Sequence, residues 1–381
     1  MAINRRFATG VALVLCLPLA LWPRLAAAHG EWEITRDSEA ALERGLSWLA
    51  ATQGPEGNWE SNDLGLVSLG ALAFLAAGHT PGHGRFGEPP ARAISYVLKN
   101  AKPSGLLNIA GPRRDMYNHG LSTFVLGQAY GMTDDARISP VLDRALKLIA
   151  YTQCEDGGWD YEARRQKQGH DLSLVVMQAK ALRSAVDCGL DVSPEVVEMA
   201  LKNVRAHYVA DSGKKNFDDP AVRAEGRFRY LTNGQGGSVA LSACGVVCLQ
   251  EFGAYDDWRI GVTMPEIFAS IRPMGAGKAD GHIPIGAYSI YYMGQAVYQV
   301  GGEWWEQCYP RLRDSLVATQ HRDPKNPRED GWWTDTAHVQ GKPGQLYGTA
   351  VGCFVLAIPN RYLPILQDGK IEGLKRLPTK E

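Results

Sequence analysis

Three polar residues at or near the start of long apolar stretches have side chains suited to proton transfer: Asp63, His119 and Asp171. A histidine titrates near neutral pH and an aspartate can donate or accept a proton, so each is a candidate catalytic acid or base. Each also has a structural alternative. An aspartate before a helix caps free backbone N–H groups, and a buried histidine is commonly satisfied by its neighbours.

Aromatic and basic residues accompany these candidates. One set would give aromatic faces to any cavity that the apolar stretches enclose: Tyr117, His170, Tyr288, Tyr291 and Tyr347. Such faces stabilise a carbocation or stack on an apolar ligand, and the same residues would equally serve as core packing. A basic set would hold a diphosphate or form a solvated loop: Arg113, Arg114, Arg164, Arg165 and Lys167.

The composition limits the class of protein. The chain has 381 residues, 45% of them hydrophobic, which is enough for a large core and excludes a disordered protein. The 40 basic and 41 acidic residues give a net charge of -1, so no nucleic-acid partner is expected. The sequence has no triplet with the spacing of zinc ligands and no Gly-Lys-Ser/Thr phosphate loop. We therefore predict no metal and no cofactor.

The elements that would position these residues follow a repeat of about fifty residues. Residues 44–59 and residues 144–159 share the same spacing of Arg, an apolar pair, Gln, Gly and Trp. The Gln and Trp positions of the clearest units are Gln53 and Trp59, Gln153 and Trp159, and Gln320 and Trp333. Weaker copies lie between them, and six units fit in the chain.

Each unit is predicted to contain two helices. The first is amphipathic, and the second is apolar on nearly all sides, as in residues 64–77 and 172–185. A helix of the second kind is buried on nearly all sides. Alternating β-branched residues are nearly absent, so no sheet is expected. The sequence therefore predicts an all-α protein in which six inner helices are surrounded by six outer ones.

Residues 44–59 resemble the QW repeat of squalene-hopene and oxidosqualene cyclases at every defining position. Residues 116–120, 157–161, 291–302, 347–350 and 361–364 also resemble a bacterial group of exported prenyltransferase/squalene-oxidase-repeat proteins. The resemblance spans residues 38–367. It implies an α/α toroid of six helical hairpins, shared with protein prenyltransferase β subunits, with the inner-helix N-termini facing a central cavity. It also implies that the repeat Gln and Trp residues are structural.

The chain departs from these families where their chemistry lies. The Asp-X-Asp-Asp acid of the cyclases is absent, and so is the Asp-X-Cys with which the protein prenyltransferases hold zinc. Three functions stay open. The first is an exported toroid that binds an apolar or isoprenoid small molecule or acts as a scaffold. The second is a divergent isoprenoid cyclase or prenyltransferase, with Asp171 beside His170 or His119 as the acid. The third is a polysaccharide-active α/α-barrel enzyme that uses Asp63 and Asp171 as paired carboxylates.

The two ends of the chain differ from the repeat region. Residues 1–28 are predicted to form a signal peptide, with Arg5 and Arg6 before an apolar stretch and three alanines at the cleavage site. Residues 38–367 form the predicted toroid and residues 368–381 a polar tail. We therefore expect an exported protein, periplasmic or secreted. Peripheral contact with a membrane and the oligomeric state stay open.

Overall fold

The computed structural model describes residues 32–275, 277–326, 328–335 and 344–367. The predicted signal peptide and polar tail lie outside these ranges. None of the described helices combines the length and apolar content needed to cross a bilayer. The described helices, in chain order, are α1 (Arg36–Thr52), α2 (Leu64–Ala76), α3 (Glu88–Lys99), α4 (Asp115–Tyr130), α5 (Ile138–Thr152), α6 (Leu172–Asp187), α7 (Pro194–Ala206), α8 (Pro220–Ala224), α9 (Val239–Glu251), α10 (Trp258–Ile271), α11 (Ala287–Val300), α12 (Gly302–Thr319) and α13 (Gln345–Ala357).

Six helices form a closed inner ring. Helices α2, α4, α6, α9, α11 and α13 each pack against the next, and α13 packs against α2. The longer remaining helices lie outside them, with α3 on α2, α5 on α4, α7 on α6, α10 on α9, α12 on α11 and α1 on α13. The predicted all-α fold, an α/α toroid, is therefore confirmed.

The inner helices are buried because their sequences offer no polar face. All 13 residues of α2 are buried, and each fully buried leucine contributes roughly 2 kcal/mol. Gly70 lies in this helix, where a glycine costs about 1 kcal/mol relative to alanine. The Trp59 ring fills the space beside it, since an added Cβ would lie 2.7 Å from the ring. Packing between the turn and the inner helix of one unit therefore determines the residue at this position.

Two features differ from the sequence predictions. Helix α4 begins at Asp115, ahead of His119, which the sequence places at or near the start of an apolar stretch, because the 3-10 turn Pro112–Arg114 runs directly into the helix. His119 therefore lies inside the helix. A small sheet is also present, although none was expected. Strands β1 (Tyr208–Ala210) and β2 (Gly226–Phe228) pair antiparallel in the insertion between α7 and α9.

The side chain of Gln320 joins the last unit of the ring to the first. Its Nε2 donates to the Gly331 carbonyl in its own turn and to the Ala41 carbonyl in α1, each at 2.8 Å. Its Oε1 accepts a hydrogen bond from Arg44 Nε at 2.9 Å. The amide is completely buried. These bonds therefore link two ends of the array that are far apart in the chain.

Gln53 and Gln153 make the same contacts between neighbouring units. Each Nε2 donates at 3.1 Å to a glycine carbonyl in its own turn. Each also donates at 2.9 Å to the first turn of the next outer helix, Gln53 to the Pro89 carbonyl and Gln153 to the Val196 carbonyl. One amide thus fixes the position of each outer helix relative to the preceding turn.

Glycines in these turns permit the close approach. Gly331 has a φ of +98°, and an added Cβ would lie 2.6 Å from the Arg44 carbonyl oxygen. Gly157 has a φ of +88° and faces the Met199 backbone in the same way. Positive φ and the lack of a side chain are both properties of glycine. The glutamine bonds therefore depend on the glycines beside them.

The repeat tryptophans cover the same turns. Each indole Nε1 donates to a carbonyl in the last turn of its outer helix, where the backbone carbonyls need partners from outside the regular helix pattern. The pairs are Trp59 with Leu49 at 2.8 Å, Trp159 with Ile149 at 2.9 Å, and Trp333 with Leu316 at 3.0 Å. Trp159 and Trp333 are fully buried. The indoles thus exclude water from the turn and satisfy a helix end.

We predict that Gln320→Ala lowers the free energy of unfolding by about 2–4 kcal/mol, because it removes buried hydrogen bonds to the Ala41 and Gly331 carbonyls and the acceptor of Arg44 Nε. Urea unfolding followed by circular dichroism measures the change. Gln307→Ala is the control, since Gln307 is exposed on α12, and it should change stability by less than about 0.5 kcal/mol. Equal unfolding midpoints for Gln320→Ala and the unmodified protein would contradict the role of Gln320.

Candidate functional site

Asp171 caps the N-terminus of α6 and is almost completely buried. Its Oδ1 accepts hydrogen bonds from the Ser173 backbone N–H at 3.0 Å and from the Ser173 hydroxyl. Its Oδ2 accepts a bond from the Tyr161 hydroxyl at 2.7 Å and lies 2.8 Å from Nδ1 of His170. One carboxylate therefore both caps a helix and orients an imidazole.

His170 is the exposed member of this pair, which we call the His170–Asp171 dyad. The His170 side chain is 45% exposed, whereas that of Asp171 is fully buried. The ionised carboxylate only accepts hydrogen bonds, so Nδ1 of His170 carries a proton. Nε2 makes no hydrogen bond to any described residue. The ring of Tyr161 lies 4.1 Å from the imidazole, which fixes the orientation of the imidazole from a second side.

Hydroxyl groups surround the buried carboxylate. The Tyr117 hydroxyl lies 2.6 Å from the Ser173 hydroxyl, and the hydroxyls of Tyr161 and Tyr230 lie 2.6 Å apart. Tyr117 comes from α4 and Ser173 from α6, while Tyr161 and Tyr230 lie in the segments that precede α6 and α9. The cluster therefore depends on the packing of three successive inner helices.

The hydrogen bonds set the charge of the dyad. Burial by itself would raise the pKa of Asp171, but bonds from His170 and the surrounding hydroxyls outweigh it and hold the pKa below its usual value. The bond to Asp171 raises the pKa of His170 above its usual value of 6.5. Burial raises the pKa of Tyr161 and Tyr230, so both phenols stay protonated. The dyad is therefore a buried carboxylate paired with an imidazole that readily holds a proton.

A cleft of about 530 Å³ lies in front of the dyad. Charged and aromatic side chains line it: Arg113, Arg114, Arg164, Asp160, Glu162, His170, Tyr117 and Tyr161. Polar side chains and two aromatic rings suit a ligand that is rich in oxygen better than a hydrocarbon. Among the described residues, no group of three His, Cys, Asp or Glu side chains is placed to hold a metal ion.

Ion pairs order the walls of the cleft. Arg164 Nε lies 3.0 Å from Asp160 Oδ2, and its Nη1 lies 3.3 Å from Glu162 Oε2. Arg114 Nη1 lies 2.7 Å from Asp63 Oδ2. Asp63 also caps α2, since its Oδ1 accepts from the backbone N–H of residue 66 at 3.0 Å. Asp63 is thus connected to the cleft through Arg114 and does not line it.

His119 lies away from the cleft. It is completely buried; the Leu107 backbone N–H donates to its Nδ1 at 3.2 Å, and Nε2 lies 3.1 Å from the Ala145 carbonyl of α5. Burial lowers the pKa of His119 to about 4. The ring is therefore neutral at physiological pH and fully hydrogen-bonded. This geometry fits the structural alternative for His119 and offers no path to a ligand in the cleft.

Three of the predicted cavity tyrosines lie within the packed inner ring. Tyr288, Tyr291 and Tyr347 are all buried. The Tyr288 hydroxyl lies 3.1 Å from the Cys244 sulfur, and the rings of Tyr288 and Tyr291 lie 4.9 and 5.0 Å from that of Tyr292. The Tyr291 hydroxyl makes no hydrogen bond of normal geometry to any described residue. Of the predicted cavity residues, only Tyr117 and His170 line this cleft.

Sequence reasoning missed several residues of the site. Tyr161 and Tyr230 hold the dyad but lie in irregular segments, where no periodic pattern assigns them a direction. Ser173 had a usable signal, because a serine two residues after an N-cap aspartate can reach the same carboxylate. Asp160 pairs with Arg164 four residues later along the same loop.

No family model matches the chain, and no curated protein sequence is significantly similar to it. Similarity to solved structures is found at the level of the fold. An inactive variant of an α-1,6-mannanase, GH76A, from Salegentibacter, in complex with α-1,6-mannotetrose, is 9% identical with a TM-score of 0.53. It covers 88% of this chain and 100% of its own.

Two further solved structures have the same architecture. A variant of a type II terpene cyclase from Scytonema, in complex with geranylgeranyl dihydroxybenzoate, is 12% identical with a TM-score of 0.53, over 86% of this chain and 98% of its own. A protein from Klebsiella pneumoniae described as a possible member of the GH105 family is 13% identical with a TM-score of 0.56, over 94% of this chain and 100% of its own. At these identities the comparison establishes the fold alone.

We predict that His170 titrates above pH 6.5, because the Asp171 carboxylate stabilises the imidazolium. Asp171→Asn removes that charge while keeping a capping side chain, so the pKa of His170 should fall. NMR titration of the imidazole signals measures both values. Asp143→Asn, at an exposed position on α5, is the control and should leave the titration unchanged.

The same pair gives stability a pH dependence with a defined sign. A raised folded-state pKa means that the contribution of His170 is complete below the unfolded pKa and is lost as pH rises through the folded one. The stability difference between the unmodified protein and Asp171→Asn should therefore be larger at pH 5.5 than at pH 8.5. A difference that grows with pH would contradict the proposed pairing.

Proposed function

We propose that the cleft is the active site of an enzyme that carries out acid–base catalysis on an oxygen-rich small molecule, with saccharides as the favoured class. The observation that carries the proposal is the 2.8 Å contact between His170 Nδ1 and the buried Asp171 carboxylate. It leaves Nε2 as the proton-transferring atom at the wall of the cleft. An oriented histidine of this kind accelerates a reaction by roughly 10²–10⁴-fold.

In this proposal, the His170 imidazolium donates its Nε2 proton to a substrate oxygen whose bond to carbon is breaking. Water forms the new bond to that carbon as the C–O bond breaks, and the proton that the water releases passes to Nε2 of His170, which restores the imidazolium. Asp171 stays ionised throughout and stabilises the imidazolium through Nδ1. Tyr161 fixes the Asp171 carboxylate, and the rings of Tyr117 and Tyr161 offer apolar faces for the C–H face of a sugar ring.

The fold comparisons are compatible with this class of substrate. The mannanase, whose structure contains a mannose oligosaccharide, uses an α/α toroid of similar size. The proposal differs in one respect from the paired-carboxylate interpretation of the sequence. Asp63 is held by Arg114, so we assign the acid to His170 and give Asp63 the role of positioning Arg114.

Binding of an apolar or isoprenoid ligand is the second candidate. It is favoured by the buried layer of Tyr288, Tyr291 and Tyr347, and by the terpene cyclase with the same fold. The charged walls of the cleft and the lowered pKa of Asp171 favour the acid–base enzyme over an apolar-ligand binder. Protonation of an alkene requires a strong acid in its protonated form, and an ionised Asp171 does not supply one. A binding or scaffold role without catalysis would not need that acid.

The first candidate is tested with a panel of oligosaccharides and mass spectrometry of the products. We expect conversion of at least one class of glycan, and His170→Gln should lower kcat about 10²–10⁴-fold. His83→Gln, at an exposed position between α2 and α3, is the control and should retain full activity. Activity should fall as pH rises through the pKa of His170, and Asp171→Asn should shift this decrease in activity to lower pH. Unchanged turnover by His170→Gln would eliminate the proposed acid.

The second candidate makes a different prediction. Native mass spectrometry after incubation with isoprenoid lipids should then show a bound species, and Tyr291→Phe, which removes only the hydroxyl, should retain it. Tyr291→Asp should abolish it, because a buried charge opposes apolar binding. Circular dichroism establishes that each variant is folded. Bound isoprenoid together with inactivity on every glycan would favour this candidate over the first.

A further inference from the structure

The rim of the cleft has more cationic side chains than its carboxylates pair with. Arg164 already binds both acidic residues of the wall, Asp160 and Glu162. Arg113 is exposed and makes no ion pair or hydrogen bond to any described residue. The fork of Arg164 also retains N–H groups beyond the two that face Asp160 and Glu162. The other two basic residues of the wall are paired, Arg114 with Asp63 and His170 with Asp171.

The segment that carries Arg113 is held in place from below. It belongs to the 3-10 turn Pro112–Arg114, which leads directly into α4. Asn108 is fully buried under this turn, and its Nδ2 donates to the Gly111 carbonyl at 3.2 Å and to Asp115 Oδ1 at 2.7 Å. The backbone that carries Arg113 is therefore fixed beside the cleft.

The helix behind the turn adds to the positive potential. α4 has no side-chain cap at its N-terminus, so the positive end of a 16-residue helix dipole lies directly behind Arg113 and Arg114. The first-turn residue Asp115 offsets part of it, but Asp115 is engaged by Asn108 and by the Ala163 backbone N–H at 3.2 Å. An anion in the cleft would face the arginine side chains and not this carboxylate.

We propose that Arg113 and Arg164 form an anion-binding subsite, and that the ligand of the cleft is a saccharide carrying a carboxylate or a phosphate. This inference rests on the proposed function for the saccharide part, while the anion part rests on the arginines alone. Guanidinium groups bind carboxylate and phosphate through paired N–H donors. The anionic group would sit at the rim and direct a ring oxygen towards His170 Nε2.

The test uses three sugars that differ only at the sixth carbon: glucose, glucuronate and glucose 6-phosphate. Isothermal titration calorimetry at low ionic strength measures their affinities without requiring turnover. We expect one of the two acidic sugars to bind at least about tenfold more tightly than glucose, the range of one charge-assisted contact. The preferred acid identifies carboxylate or phosphate as the anion. Added salt should weaken the binding of the acidic sugar and leave the binding of glucose unchanged.

Two variants test whether the anionic group binds at the rim of the cleft. Arg113→Gln should reduce the affinity for the acidic sugar about tenfold and leave that for glucose unchanged. Arg137→Gln replaces an exposed arginine in the α4–α5 connection, outside the cleft, and should have no effect. Equal affinities for acidic and neutral sugars, or an unchanged affinity after Arg113→Gln, would overturn the subsite.

The same measurements separate this inference from the proposed function. His170→Gln should retain the preference for the acidic sugar while losing turnover. If His170→Gln retains turnover but Arg113→Gln loses anion binding, the acid–base proposal fails and the subsite stands. If turnover depends on His170 but neutral and acidic sugars bind alike, the subsite fails and the acid–base proposal stands.

Discussion

Closure of the ring by Gln320 is the constraint on which the rest of the structure depends. The bond to Ala41 spans 279 residues, and closing a loop of that length costs about 5 kcal/mol in chain entropy. Two hydrogen bonds, at about 1 kcal/mol each, do not offset this cost. Burial does, because an open array would expose the apolar faces of α2 and α13, and a few leucines at roughly 2 kcal/mol each are sufficient. Hydrophobic burial therefore drives closure, and the glutamine fixes the register in which it occurs.

The position of the site follows from the same architecture. The first turns of α2, α4 and α6 lie beside one another, since Gly65 packs against Asn118 and the Tyr117 hydroxyl contacts the Ser173 hydroxyl. The connecting segments that precede these helices therefore meet at one mouth of the ring. Asp171 shows how the chain uses this arrangement. As an N-cap it contributes about 1 kcal/mol to α6, and the same carboxylate orients His170. In the proposed function, one residue therefore serves both stability and catalysis, and its hydrogen bonds order the dyad without a ligand.

The chemistry of the cleft depends on loops and not on the ring. The fold is found in proteins whose structures contain a mannose oligosaccharide and a geranylgeranyl compound, so the inner helices by themselves do not select a ligand. In this chain the turn before α4 and the loop before α6 supply arginines, carboxylates and aromatic rings. Their charges distinguish the mouth of the ring from the buried tyrosine layer around Tyr288 and Tyr291.

Local pattern in the sequence determined the helices, because an apolar stretch such as residues 64–77 can only be buried on all sides. It also supplied the capping alternative for Asp63 and Asp171, since capping involves neighbours within three residues. It did not supply the start of α4, and so it misplaced His119 at a helix end. Only the tertiary structure decided that Tyr161 and Tyr230, 69 residues apart, meet at Asp171. Such contacts arise when connecting segments of different units become neighbours in the closed ring. A periodic pattern within one segment does not indicate which residue of another segment it will contact.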